Sequence, residues 1–395
     1  MITIAGTTLA GMASAARLAR LGHDVQLGRC GIAALGGPWA PEYQDSLQVD
    51  ALPQTFTIPA LWRDLFTKTG RPLAGSAGQA GLDLVPAPGA EHRFADGSSF
   101  MLPTERGAQY YAISDRYGEA AAASWRDLLD RLTSVWQARR RFGVEGTEAP
   151  KKADHSSLGL GLILDALADR LGHEHLATIV RSWGPRSGTN SPTAPALLAV
   201  PLLLERTFDR WQLVDRDRRP VAASSMIELL VSRLEQLGVR IVDEVADPDL
   251  DARPVLSKTK LWQPTPQAAL APQISHRILD QPAPESVVEI VDHTQSAPVI
   301  TWLRPSHQGT LASVHDYTRP RANLAWGLAP DRKANWLARV AVLGTPLRAS
   351  TCSPAGNEAW AELASAALAS YELHRRLTGQ DPSPKNKSFR MPPKR

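Results

Sequence analysis

Short apolar runs and longer amphipathic stretches follow one another along this chain, and their spacing sets out its elements. Ile2-Thr3-Ile4 predicts a strand, an Ala-, Leu- and Arg-rich helix closes at Gly22, and Val25-Gln26-Leu27 predicts a second strand. Leu61, Leu65 and Phe66 form the apolar stripe of a short helix. Gly, Pro and Ala dominate residues 71–104, where Asp96-Gly97 marks the turn of a hairpin running through Arg93 to Ser98. From Tyr110 to Phe142, Trp125, Leu128, Leu129, Leu132, Val135 and Trp136 recur at helical spacing, and Arg139-Arg140-Arg141 closes that stretch where positive charge suits a helix C-terminus. Residues 158–207 predict further helices, broken at Gly184-Pro185 and Pro192. Met226 to Leu237 is amphipathic, stops at Gly238 and leads into the strand Val239 to Val242. Ser286 to Val291, Val299 to Trp302 and Leu311 to Tyr317 favour strands. Val340 to Leu343 predicts a buried strand, and Trp360 to Leu377 a closing helix. No internal repeat is present.

The chemistry begins in the first βαβ unit. A strand, a glycine turn and a helix N-terminus make the arrangement that holds the pyrophosphate of a dinucleotide. Its fingerprint is Gly-x-Gly-x-x-Gly with an acidic residue closing the second strand. Here Gly6 and Gly11 fill the first and third glycine positions, Thr8 stands at the second and Arg29 at the acidic position. A Thr Cβ either keeps the phosphate at a distance or offers a hydroxyl. Arg29 cannot accept hydrogen bonds from ribose, yet it could hold a 2′-phosphate, which would point to NADP. A βαβ unit kept only for its fold is the other reading.

Composition narrows the classes. With 43% hydrophobic and 21% charged residues, the 395-residue chain has the profile of a globular protein of two or three domains. The tail from Gly379 holds five basic residues against Asp381, which accounts for the whole formal charge of +4 and leaves the body neutral. A nucleic-acid partner is therefore not expected. The Pro-, Lys- and Arg-rich tail is expected to be disordered, and it suits either weak contact with an anionic membrane surface or a solubilising role. Cys30 and Cys352 lie far apart, which fits a reducing, cytoplasmic setting and excludes a cysteine zinc site. The ten histidines show no metal spacing beyond His173-x-His175, so no metal is expected. Trp183, Trp211, Trp302, Trp326 and Trp336 are candidates for an apolar tunnel, though tryptophans are more often core.

The order of elements resembles flavoproteins of the amine-oxidase and phytoene-desaturase class. Arg29 is followed seven residues later by Gly36-Gly37, as the family's acidic residue is followed by Gly-Gly-Arg. Asp50-Ala51-Leu52-Pro53, continuing through Thr57-Ile58-Pro59 to Leu65-Phe66, is similar to the stretch that reads Asp-x-Gly-Pro and enters a Pro-initiated helix. His175 to Phe208, with Ser187-Gly188 and Ala194-Pro195-Ala196, resembles the helical part of the family's substrate domain. The departures fall on cofactor positions. Thr8 and Leu52 replace glycines, Arg29 an acid and Pro38 an arginine. Val214 to Arg218 stands where a Gly-Gly pair is usual, and Gly344-Thr345 where Gly-Asp is usual.

The resemblance implies an α/β fold: an FAD/NAD(P)-binding Rossmann-like domain with an inserted, mainly helical plus β substrate domain. Residues 1–75, 223–260 and 336–378 would form the dinucleotide-binding domain, 76–222 and 261–335 the substrate or cap domain, and 379–395 the tail. It implies FAD as cofactor, with NADP as the alternative, bound by Gly6, Thr8, Gly11, Arg29, Gly36, Gly37 and Gly344. The implied activity is an FAD-dependent oxidoreductase that takes hydride from an apolar small molecule onto the flavin, with no catalytic side chain assigned. A non-catalytic descendant serving as a binding or interaction module is the alternative.

Overall fold

The computed structural model describes residues 1–44, 46–148, 150–254, 267–330, 344–349 and 358–392. A parallel five-stranded sheet runs in the order Leu347–Arg348, Leu250–Asp251, Ile2–Ala5, Val25–Gly28, Arg240–Val242. Ile2 pairs with Val25 and Ile4 with Leu250, so the N-terminal strand lies at the centre, with both of its apolar residues buried. The helix Leu9–Arg20 is buried along Leu9 to Leu18. Its Ala10, Gly11, Ala13, Ser14, Ala15 and Ala16 are small enough to let the sheet below and the last helix, Ala359–Thr378, both come close.

Gly11 shows how close. A Cβ there would stand 1.9 Å from the Gly6 carbonyl oxygen, so this position admits no side chain. That is the helix–strand packing role of the third glycine in the fingerprint.

The second body is a six-stranded sheet in the order Leu270–Leu279, Gly309–Ala322, Val299–Ser306, Val288–Asp292, Ala90–Arg93, Ser99–Leu102. Its pairs are antiparallel except that Val288–Asp292 runs parallel to Ala90–Arg93. The hairpin around Asp96-Gly97 forms as its turn pair predicts, with Phe94 N donating to Ser98 O. Helices Arg106–Tyr117, Glu119–Gly143, Glu174–Arg181 and Val200–Phe208 build the adjoining core around Trp125, Leu129, Leu176 and Leu204. The single helix read from Tyr110 to Phe142 is in fact two. Gly118, at φ +92°, ends the first and starts the second, a conformation glycine adopts without strain.

Three expectations change. The edge strand of the parallel sheet is Leu347–Arg348, which follows Gly344, while the run Val340 to Leu343 lies outside the described residues, as do Trp336 and Cys352. A strand that periodicity missed, Leu250–Asp251, lies between the edge strand and the N-terminal one. The tail, expected to be without contacts, is docked as far as Pro392. Arg20 Nη1 donates to Pro392 O at 2.7 Å, Lys385 Nζ donates to Glu145 O at 2.8 Å, and the Phe389 ring meets His374 edge-on. The apolar Phe389 and the turn in which Asp381 accepts from Ser383 N and Oγ give it the anchors its composition conceals.

Gly11→Ala is expected to cost at least about 3 kcal/mol in urea unfolding, through forced separation of helix and strand. Gly78→Ala, in a helix where an added Cβ meets nothing within 4 Å, is expected to gain up to about 1 kcal/mol. Equal effects at the two positions would contradict this packing.

Candidate functional site

The glycine turn between Ile2–Ala5 and Leu9–Arg20 brings most of the predicted residues together. Gly6 (φ +100°) lies against the backbone of Ala252 and Arg253, each 2.9 Å from where a Cβ would sit. Gly36 N donates to Thr7 O at 2.7 Å, and an added Cβ on Gly37 would lie 3.6 Å from Thr8 Cα. The Gly-Gly loop therefore rests directly on the phosphate turn. Gly344 is not among them. It precedes its strand, and its carbonyl accepts from Arg376 Nη1, fourteen residues beyond Glu362 and so about 20 Å further along the last helix.

Thr8 is the N-cap of the first helix. Its Oγ1 accepts from Gly11 N at 3.2 Å and donates to Ala252 O at 2.9 Å, so the hydroxyl is committed on both sides. Arg29 Nη1 donates to Ala33 O at 2.8 Å, and its Nε stands 4.0 Å from Asp243 Oδ1. The guanidinium thus holds its own loop.

The residue that periodicity and motif both missed is Glu362, in the first turn of the last helix. Its Oε2 accepts from Ala10 N at 3.3 Å and its Oε1 from Trp39 Nε1 at 3.3 Å, and the residue is 4% exposed. A carboxyl group therefore lies at the helix N-terminus where a bound pyrophosphate would accept hydrogen bonds. Burial pushes its pKa up to about 8 against those two donors. One signal was legible: an acid inside an otherwise Ala- and Leu-rich helix. Its partners were not.

Beyond this point lies a cavity of about 60 Å³, lined by Trp39, Phe56, Trp183, Trp302, Tyr317 and Trp360 with Arg186, Glu205, Glu289 and Glu358. Of the tryptophans proposed for a tunnel, Trp183 and Trp302 are here. Trp211 instead stacks under Arg63, and Trp326 packs on His315. Glu289 anchors the charged side. It accepts from Arg186 Nη2 at 3.0 Å, from Trp302 Nε1 at 3.2 Å and from Arg210 Nη2, and the two guanidiniums hold its carboxyl below its ordinary pKa despite burial. Glu205 stands 4.0 Å from Arg210 Nη1, and burial outweighs that guanidinium and raises it. Burial likewise raises Glu358 to about 8, with Oε2 lacking a partner.

These residues do not fit a dinucleotide cofactor. The donors at the helix N-terminus are taken by Thr8 and Glu362, and Arg29 accepts nothing from a ribose. Thr7 Oγ1, buried in the same turn, has no hydrogen-bond partner among the described residues. Among the described residues no group of three or more His, Cys, Asp or Glu could hold a metal, and no helix is long and apolar enough to cross a membrane.

No family model matches the chain. In sequence it is similar to a phytoene dehydrogenase of Streptomyces griseus, 28% identical over 275 residues, or 62% of this chain. The match spans about half, 51%, of that relative. In structure it is similar to putrescine oxidase (TM-score 0.58, 11% identity, 96% of this chain and 99% of that one). It is also similar to the CLA-producing fatty acid isomerase of P. acnes (TM-score 0.56, 11%, 95% and 98%) and to RAB GDI of Plasmodium falciparum (0.51, 11%, 97% and 98%). Its fold is the FAD/NAD(P)-binding fold of the amine-oxidase type. The glycine turn and the Gly-Gly loop are thus retained in outline, with Thr8 and Arg29 bonded within the chain itself.

Glu362 yields a pH prediction. Its folded pKa of about 8 lies above the roughly 4.3 of a free glutamate, so the folded chain binds the extra proton between those values. The group's stabilising contribution is then full below about pH 4 and lost as pH rises through 8. Glu362→Gln cannot ionise. Its melting temperature relative to wild type should climb between about pH 4 and 8 and level off above. A difference that stays flat across that range would show that Glu362 does not titrate there.

Proposed function

We propose that this chain is a non-catalytic descendant of phytoene desaturase-like oxidoreductases, kept as a binding or interaction module. The observation that carries the reading is the Glu362 carboxyl on Ala10 N, a position that a dinucleotide phosphate would need. The Thr8 cap agrees with it. Its ligand, if a small molecule, is an apolar one, as the family resemblance implies. No redox step is assigned to the site.

A second reading keeps the ancestral activity: an FAD-dependent oxidoreductase removing hydride from an apolar substrate. The likeness to a phytoene dehydrogenase favours it. It requires Glu362 and Trp39 to leave the helix N-terminus before the nucleotide can enter.

The full chain purified without added cofactor is expected to show no flavin absorbance and to release no flavin on denaturation. Titration with FAD or NADP should give no saturable signal. A stoichiometric yellow chromophore, or saturable FAD binding at micromolar concentration, would return the chain to the oxidoreductase reading.

A further inference from the structure

We infer that Glu362 is an intramolecular stand-in for a cofactor phosphate, closing from within an anion site that the scaffold still carries at the N-terminus of helix Leu9–Arg20. This inference rests on the non-catalytic reading above and gives it an atomic cause.

A buried helix N-terminus presents backbone N–H groups with no partner inside the helix, and leaving them dry is costly. The first helix meets that demand in two ways. Gly11 N is served locally by the Thr8 hydroxyl. Ala10 N is served by a side chain 352 residues away in sequence. That second arrangement is unlike an ordinary cap, which comes from the residue preceding the helix. The same carboxyl takes the indole N–H of Trp39, which stands just after Gly36-Gly37. One acidic group therefore joins the phosphate turn, the Gly-Gly loop and the last helix, three segments that would all border a dinucleotide phosphate.

Geometry makes the substitution specific. Both carboxyl oxygens accept from N–H donors, the bonding a phosphate oxygen pair would make there. The nearby Arg253 is already spent on Asp251, through its Nε at 3.0 Å and its Nη2 at 3.1 Å, and adds no unmatched positive charge. An external phosphate meets a filled position and, whenever Glu362 is ionised, like charge. Removing the carboxyl alone uncovers two buried donors, Ala10 N and Trp39 Nε1, aimed at one point.

The test uses the full chain as wild type, Glu362→Gln and Glu362→Ala, titrated with inorganic pyrophosphate by calorimetry and by shift in melting temperature. Wild type and Glu362→Gln, which keeps the volume and an acceptor oxygen, should give no saturable binding. Glu362→Ala should bind pyrophosphate at least about tenfold more tightly than wild type and melt higher in its presence. Should the alanine variant fail to fold, Glu362→Ser, which also clears the site, carries the same expectation. A folded Glu362→Ala or Glu362→Ser that gains no affinity for pyrophosphate overturns the inference and leaves the non-catalytic reading standing if the wild type is flavin-free. A wild type that carries flavin overturns both.

Discussion

The constraint on which the rest of the structure depends is the buried N-terminus of the first helix. Gly11 brings that helix so close to Gly6 at the end of the central strand that no side chain fits between them. The unpaired N–H groups at its start must then be met by something placed there. In this chain the protein supplies it. Thr8, the carbonyl of Ala252, the Gly36-Gly37 loop and the Glu362 carboxyl converge on one turn. The packing of the last helix against the first follows from that convergence.

The same solution recurs across the molecule. Asp50 is buried, and its two carboxylate oxygens accept from Ala223 N at 2.8 Å and Ser224 N at 3.1 Å, just ahead of the helix Ser225–Gln236. Asp50 lies in the Asp-Ala-Leu-Pro stretch that resembles the family motif, and its role here is to fix a helix start. Arg233, in that helix, donates to Phe66 O and to Arg71 O, closing the end of Pro59–Thr69. Within the second body, Glu289 draws Arg186 and Arg210 out of water into one bonded group. Each buried charge there would be costly alone and is tolerable only as a set. Buried polar groups thus act as joints, and the apolar clusters on either side pack up to them.

The strongly periodic elements were legible in the sequence. The βαβ start, the hairpin at Asp96-Gly97, the amphipathic helix ending at Gly238 and the closing helix all form, because hydrophobic period and glycine stops are local properties. The break at Gly118 was in plain view yet went unread, since apolar residues keep helical spacing on both sides of it. Leu250–Asp251 was invisible for a different reason. Two residues carry no period, and only pairing with Ile4 and Ala5 makes them a strand.

The sequence by itself determined that this chain builds a dinucleotide-type scaffold and that its cofactor positions had changed. Gly6, Gly11 and Gly36-Gly37 are marks of backbone close approach, and Thr8 and Arg29 could not do the work of a glycine and an acid. Only the tertiary structure decided what fills the place left over. Thr8 could have sat back or bonded a phosphate, and it caps its own helix. Glu362, which no motif singled out, is the group that closes the turn, accepting from Ala10 N and Trp39 Nε1. The reason is physical. A residue's type fixes which bonds it can make, but the partner that makes them is chosen by the packing of segments hundreds of residues apart, and no local pattern records that choice.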